Sequence, residues 1–270
     1  MARASLLLSL GLAVLCGCSP APVEIEPPPN VLFVVVDTLG AQYVSVHNQE
    51  VSFTSQLERL EQRDTFVFSR AHTVAPWTKP SVASMFTGVY PSEHGLTDLV
   101  HRFTPKMATL AGVLSEHGFA TKGVVSHTLL NKGVGFDKGF EAYEMVPLLA
   151  NPHEAISSHD VTDLALAWLE GREGSASAAE PYCLFVHYFD PHYAYHHHEP
   201  FDRSSWYPGE ISSGSDFEVL FDRTRAGELS GDDLAYLRHL YEEEVAYTDG
   251  HIGRLLDGLQ AQGLLDDTLV

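Results

Sequence analysis

Three short stretches of the chain hold the residue types from which a catalytic site could be built. The first ends at Asp37, which closes the apolar run NVLFVVV (Asn30 to Val36) and is followed by no Lys or Arg in DTLGAQY. A carboxylate at the end of a buried strand is costly unless something positive compensates it. A metal ion is an economical partner here, and a side chain capping the next turn is the equally simple alternative. The second is APWTKPSVASMFTG, in which Thr78 stands at an N-cap position with Pro80 in the first helical turn. The same placement sets a hydroxyl among free backbone N–H groups, where a tetrahedral oxyanion would also bind. A metal at Asp37 could lower the pKa of that hydroxyl enough for Thr78 to act as a nucleophile. The third is FVHYFDPH, which brings His187 and His192 to the end of another apolar run. Histidines there suit proton transfer or oxyanion contact, or serve only as hydrogen-bonded structural groups. The triplet His196-His197-His198 cannot turn three consecutive side chains to one site and reads as a solvated loop.

The elements that must carry these residues alternate between strand and helix. The β-branched run ending at Val36 fits a central parallel strand buried on both faces. Helical patterns cover Thr54 to Arg63, Thr109 to His117 with Gly118 behind it, and Ser158 to Glu170. Ala120 to Val125 and Tyr182 to Tyr188 read as further strands. Residues 193–230 are polar and aperiodic, an irregular excursion over the surface. Ser230 with Asp233 opens a long helix to about Gln262 through a capping box, and Thr268-Leu269-Val270 begins a strand. The pattern predicts an α/β fold, with a mostly parallel central sheet sandwiched by helices and ligands at the carboxyl ends of the strands.

Composition narrows the partners. Acidic residues outnumber basic ones 36 to 16 in 270 residues, for a formal charge of −20, which argues against nucleic acid. Arg3 and the apolar run Leu6 to Leu15 fit a secretory signal, and Leu15-Cys16-Gly17-Cys18 looks like a lipobox, an ordinary signal peptide or an uncleaved anchor being the alternative. We therefore expect a lipoprotein signal peptide at 1–17, lipidation of Cys18 and a Pro-rich tether at 18–29. Ser19 after Cys18 points to an outer-membrane lipoprotein, anchored in the cell envelope and facing the periplasm or the outside. Cys183, within YCLFV, is expected to be a small buried hydrophobe.

NVLFVVVDTLGAQYVS, APWTKPSVASMFTGVYPSEHGL, GFDKGFEAYE, LFVHYFDPHYAY and EVAYTDGHIGRLLDGLQAQGLLDDTLV follow one another in order and together resemble the sulfatase family of the alkaline-phosphatase superfamily. The resemblance runs from about Asn30 to Val270. It implies an alkaline-phosphatase-like fold and metal-dependent hydrolysis of an anionic sulfate or phosphate ester. It also implies particular roles: Asp37 as a metal ligand, Thr78 as nucleophile and further metal ligand, and His192 on the anionic group or leaving oxygen. His94, in YPSEHG, matches a recurrent position and is a candidate for substrate binding beside His187, or equally for a structural role.

The departures from the family pattern carry information too. Thr78 replaces the Cys or Ser that sulfatases mature to formylglycine, Val82 replaces the signature Arg, and Ser126, flanked by His127, stands where a Lys is expected. Threonine nucleophiles belong to phosphoryl-transferring relatives, so these changes point toward phosphorus and a phospho-threonine intermediate. In the family, a segment like LLDDTLV leads to an Asp-His-Gly that completes the metal site, so the resemblance implies that the catalytic domain at 30–270 is incomplete at its carboxyl end. Oxygen-rich ligands favour calcium, or magnesium; added histidines would favour zinc or manganese. Two further functions fit the residues: a phosphotransferase acting on envelope glycan or lipid head groups, and a non-catalytic surface lipoprotein that keeps the fold.

Overall fold

The structure, a computed structural model, describes residues 28–104, 106–146 and 156–270. The segments expected to be a signal peptide and, nearly all of it, a tether, with Cys18, lie outside the described residues. Five parallel strands form one sheet in the order β3-β2-β4-β1-β5: β1 (Asn30–Val36), β2 (Ala120–Val125), β3 (Ala142–Met145), β4 (Tyr182–Tyr188) and β5 (Thr268–Leu269). The helices are α1 (Ser55–Glu61), α2 (Thr78–Thr87), α3 (Pro91–His94), α4 (Leu110–Glu116), α5 (Ser158–Glu170), α6 (Phe217–Ala226) and α7 (Gly231–Ala261).

Alternation along the strands divides the core into two layers. Leu32, Val34 and Val36 of β1, with Leu184, Val186 and Tyr188 of β4, meet Val161, Ala165 and Leu169 of α5 and Leu255, Leu256 and Leu259 of α7. Phe33 and Val35, with Phe185 of β4 and Val125 of β2, face Val82, Ala83 and Phe86 of α2. Phe86 meets Phe185 edge-on at 4.8 Å, a favourable aromatic geometry. Side chains of this size each contribute about 1.5–3 kcal/mol on full burial; β4 is buried along its whole length, whereas β1, expected to be buried on both faces, buries Leu32 and leaves its other residues half-buried. Cys183 is buried and unpaired within β4, as its surroundings predict, and burial pushes its thiol up to about 11.

β4 is the central strand. It pairs with β1 from Val31↔Cys183 to Val36↔Tyr188 and with β2 from Ala120↔Tyr182 to Val125↔His187. The Asp37 N–H continues the ladder onto the Tyr188 carbonyl at 2.9 Å. Parallel register therefore delivers Asp37, His127 and the β4 histidine His187 to one edge of the sheet.

Three expectations need correction. Thr78 is not the cap of α2 but its first residue; the cap position belongs to Trp77, which makes no side-chain cap bond. The excursion at 193–230 contains α6, closed by Asp216 at its start and Gly227 behind it. The triplet His196-His197-His198 is not a solvated loop. The His196 N–H donates to Glu244 at 2.6 Å, His197 Nδ1 lies 2.8 Å from Glu243, and His198 Nε2 lies 2.7 Å from Glu244. The capping box on α7 is present, with the Asp233 N–H donating to Ser230 Oγ at 3.1 Å and the Ser230 N–H to Asp233 Oδ2 at 2.8 Å.

Candidate active site

Asp37 and Thr78 are 41 residues apart in sequence and meet at the carboxyl edge of the sheet. The Thr78 hydroxyl donates to Asp37 Oδ2 at 2.8 Å. Helix α2 makes this possible: its apolar side, Val82, Ala83 and Phe86, packs on β1 and β4, which leaves its first residue over the end of β1. His187, fully buried in β4, brings Nε2 to 3.3 Å from the same Asp37 oxygen. That contact is too far off line for a hydrogen bond, and neither ring nitrogen of His187 makes one.

Burial alone would raise the Asp37 carboxyl. The His187 ring beside it, the Thr78 hydrogen bond and the charge of His127 outweigh burial and hold it at about 2. At rest Asp37 is therefore a carboxylate at neutral pH. Around it lies a cavity of about 360 Å³, lined by Asp37, Thr38, Trp77, Thr78, Ser81, Val82, Met85, His187 and His192 among others. His192 stacks on Phe189 with ring centroids 4.5 Å apart, and its Nδ1 lies 3.1 Å from the Tyr193 carbonyl. A ring that donates from Nδ1 keeps Nε2 as its basic nitrogen.

Sequence reasoning gave His127 no role of its own, and the structure brings it to this edge. It follows β2 directly, its ring centroid is 6.4 Å from that of His187 and 6.3 Å from that of His192, and its Nδ1 accepts the Leu129 N–H at 2.9 Å. That bond assigns the proton of the neutral ring to Nε2. The available signal was its position just past an apolar strand, the same one that marked His187. His94 behaves differently. It is buried, its Nδ1 accepts the Leu96 N–H at 3.0 Å, its Nε2 lies 3.0 Å from Ser84 Oγ, and it does not line the cavity. Of the two roles open to His94, these contacts give the structural one, joining α3 to α2. Lys79, the neighbour of Thr78, also turns away: its buried ammonium donates to the carbonyls of Asp98 and His101, both at 2.6 Å.

One carboxylate, one hydroxyl and one buried imidazole without a hydrogen bond make a donor set that fits part of a divalent cation's shell. Among the described residues, the three-residue group of metal-ligand type lies elsewhere: His197, Asp202 and Glu243, with ligand atoms within 4.8 Å of one another. Three of their four carboxylate oxygens already accept backbone hydrogen bonds. Glu243 accepts the N–H groups of Arg203 at 2.7 Å and His198 at 2.9 Å, and Asp202 Oδ1 accepts those of Ser204 at 3.1 Å and Ser205 at 2.9 Å. The group fastens the loop after His192 to α7.

Known proteins resemble this chain in sequence and in fold. The sulfatase family profile matches residues 29–270. The chain belongs to the sulfatase family. Its sequence is similar to the N-acetylglucosamine-6-O-sulfatase of Bacteroides thetaiotaomicron, 24% identical over 207 residues that take in 70% of this chain and 35% of that enzyme. It is also similar to human arylsulfatase K, 23% identical over 98% of this chain and 56% of that one. This sulfatase-family chain thus spans between about a third and a little over half of the length of these relatives. Its fold is that of the phosphonate monoester hydrolase of Agrobacterium radiobacter, with a TM-score of 0.69 at 18% identity over 89% of this chain and 61% of that one. The mostly parallel sheet between helices, expected from the sequence, is the fold these proteins share.

Proposed function

We propose that this chain carries the nucleophile of a metal-dependent sulfatase-family hydrolase that cleaves an anionic ester outside the cytoplasm. The observation that carries the reading is the 2.8 Å hydrogen bond from Thr78 to an Asp37 carboxylate at the floor of a histidine-lined cavity. The bond commits the Thr78 proton to Asp37, so the oxygen's lone pairs are what a bound ester meets. Attack by Thr78 Oγ1 on the central sulfur or phosphorus forms a threonine ester while the bond to the alcohol oxygen breaks and the Thr78 proton passes along its hydrogen bond to Asp37, from which it returns when water discharges the ester. Protonated His192 can give that oxygen its proton, and the same ring then accepts one from the water that discharges Thr78. His127, donating from Nε2, adds positive character where the substrate's charge gathers. A divalent cation held by Asp37 and Thr78, calcium first among the choices, would lower the hydroxyl's pKa and offset the negative charge of the ester.

Two substrate classes are supported by the relatives. One is by name a sulfatase of N-acetylglucosamine, and another shares the fold as a phosphonate monoester hydrolase. Apolar Val82 in the cavity wall and the unoxidised hydroxyl of Thr78 favour a phosphorus centre. Export and anchoring through Cys18 in the outer membrane are part of the proposal and rest on the Leu6 to Cys18 segment. Among the described residues no helix is long and apolar enough to cross a membrane.

The test uses the full-length protein with aryl sulfate, aryl phosphate and aryl phosphodiester, with and without added calcium, magnesium, manganese or zinc. Turnover should require metal and be lost, by at least about a thousandfold, in Thr78→Ala. A modified Thr78 should be trapped by acid quench and seen by peptide mass. Turnover that survives Thr78→Ala would remove the nucleophile assignment, and absence of turnover on all three esters would favour a binding lipoprotein.

A further inference from the structure

The turn that carries Asp37 is held by a residue 203 positions away. Directly after Asp37, Thr38 has φ 52, inside the left-handed region that a β-branched side chain rarely adopts. Such a conformation persists only where surrounding bonds over-determine it. Here they come from one oxygen on α7: Tyr241 donates its O–H to the Thr38 carbonyl at 2.9 Å and accepts the Gly40 N–H at 3.0 Å. A phenol can give and take at the same atom, and both of its bonds fall on the same turn.

Tyr241 is itself fixed. It is buried, and its ring meets Tyr43 edge-on at 4.7 Å and Tyr195 at 5.4 Å. Tyr43 follows the Asp37 turn, and Tyr195 lies three residues past His192. The ring therefore sits where the two loops that bring Asp37 and His192 to the cavity approach each other. On the other side of the turn, the Asp37 N–H is anchored to Tyr188, so the peptide between Asp37 and Gly40 is gripped from both ends.

We propose that Tyr241 is a positioning residue: its hydroxyl closes the strained turn after β1 and so sets the Asp37 carboxylate against Thr78. The inference rests on the reading of Asp37 and Thr78 as the reacting centre, and it can fail separately from that reading.

The decisive variant is Tyr241→Phe, which keeps the ring and its packing and removes only the two hydrogen bonds. Gly40 amide exchange should accelerate on the order of tenfold or more, while the melting transition stays cooperative. On whichever aryl ester the wild type hydrolyses, kcat should fall between about tenfold and a hundredfold with KM within about twofold, as expected for a misplaced reacting group. The double variant Tyr241→Phe with Thr38→Gly should recover most of that loss, because glycine takes positive φ without strain and the turn keeps its shape unaided. A merely structural tyrosine would show no such rescue.

Unchanged Gly40 exchange in Tyr241→Phe would overturn the clamp. Faster exchange with unchanged kcat, or no rescue by Thr38→Gly, would overturn its positioning role while leaving the active site intact. Should no ester be hydrolysed by the wild type, crystal structures decide. The Asp37–Thr78 hydrogen bond should be broken in Tyr241→Phe and restored in the double variant, and an unbroken bond in Tyr241→Phe refutes the proposal.

Discussion

Replacing Asp190 by alanine should destabilise the protein by about 4 kcal/mol and displace the histidine two residues beyond it. Asp190 is buried at the end of β4, and its carboxylate takes three bonds from the start of α5. Oδ1 accepts the Ser157 N–H at 2.7 Å and the Ser157 hydroxyl at 2.6 Å, while Oδ2 accepts the Ser158 N–H at 2.7 Å. Hydrogen bonds to a charged group contribute about 1.5–3 kcal/mol each, and orphaning buried donors adds to the loss. Against this, burial and the Asp190 charge together hold the Glu244 carboxyl well above its usual range, so removing Asp190 relieves some repulsion. The balance is about 4 kcal/mol for Asp190→Ala and about 2 kcal/mol for Asp190→Asn, whose amide oxygen still accepts at one site. Urea unfolding gives the number directly: the midpoint should fall at unchanged slope. Because His192 follows in the same tight turn, with its N–H on the Phe189 carbonyl at 2.8 Å, kcat should fall in both variants even under conditions where they are fully folded. A loss in Asp190→Ala below about 1 kcal/mol would falsify the view that this carboxylate ties α5 to the site.

Three further outcomes follow from the same structure. Gly139 has φ +90, and a Cβ there would lie 2.2 Å from the backbone nitrogen of Gly112, so Gly139→Ala should cost at least about 3 kcal/mol in urea unfolding; a loss under about 1 kcal/mol would show that the loop moves freely away from α4. Asp249 caps α1 from α7, accepting the N–H groups of Gln56 and Leu57 at 2.8 and 2.9 Å, yet burial pushes its carboxyl from the ordinary 3.8 up to about 6. The folded protein then binds more protons than the unfolded chain between these values, so this contribution is complete below about pH 4 and is lost as pH rises through about 6. It amounts to about 3 kcal/mol at most, and urea midpoints at pH 4.5 and 6.5 should show that component vanish in Asp249→Asn; equal pH slopes in the two proteins would contradict it. The Cys183 thiol, buried and raised to about 11, should react with a thiol reagent only after denaturant is added, and rapid labelling of the native protein would place it at a surface instead.

Much of the scaffold was written in local pattern. Ala120–Val125, Ser158–Glu170 and Tyr182–Tyr188 have the bounds their apolar periodicity predicts, because a strand or helix with a continuous buried stripe has few alternatives. β3 and α6 were not legible in that way. β3 is a short edge strand, and α6 buries no side chain, so neither has the apolar stripe that gives an element away; the signal for α6 lay in its ends, Asp216 and Gly227.

The sequence by itself determined the family of the fold and that Asp37, Thr78, His187 and His192 were the residues to watch, since each stands at the edge of an apolar run or a helix start. Their meeting at one cavity was decided only by the tertiary structure. Parallel register aligns the ends of strands that lie about 150 residues apart, and no local rule fixes which strands will be neighbours. The same holds for His94, turned inward onto Ser84, and for the histidine triplet, fastened to Glu243 and Glu244. It holds most clearly for Tyr241, one tyrosine among eleven in the sequence. Its hydroxyl acquires a role only because α7 crosses the end of β1, where the strained backbone behind Asp37 needs both a donor and an acceptor.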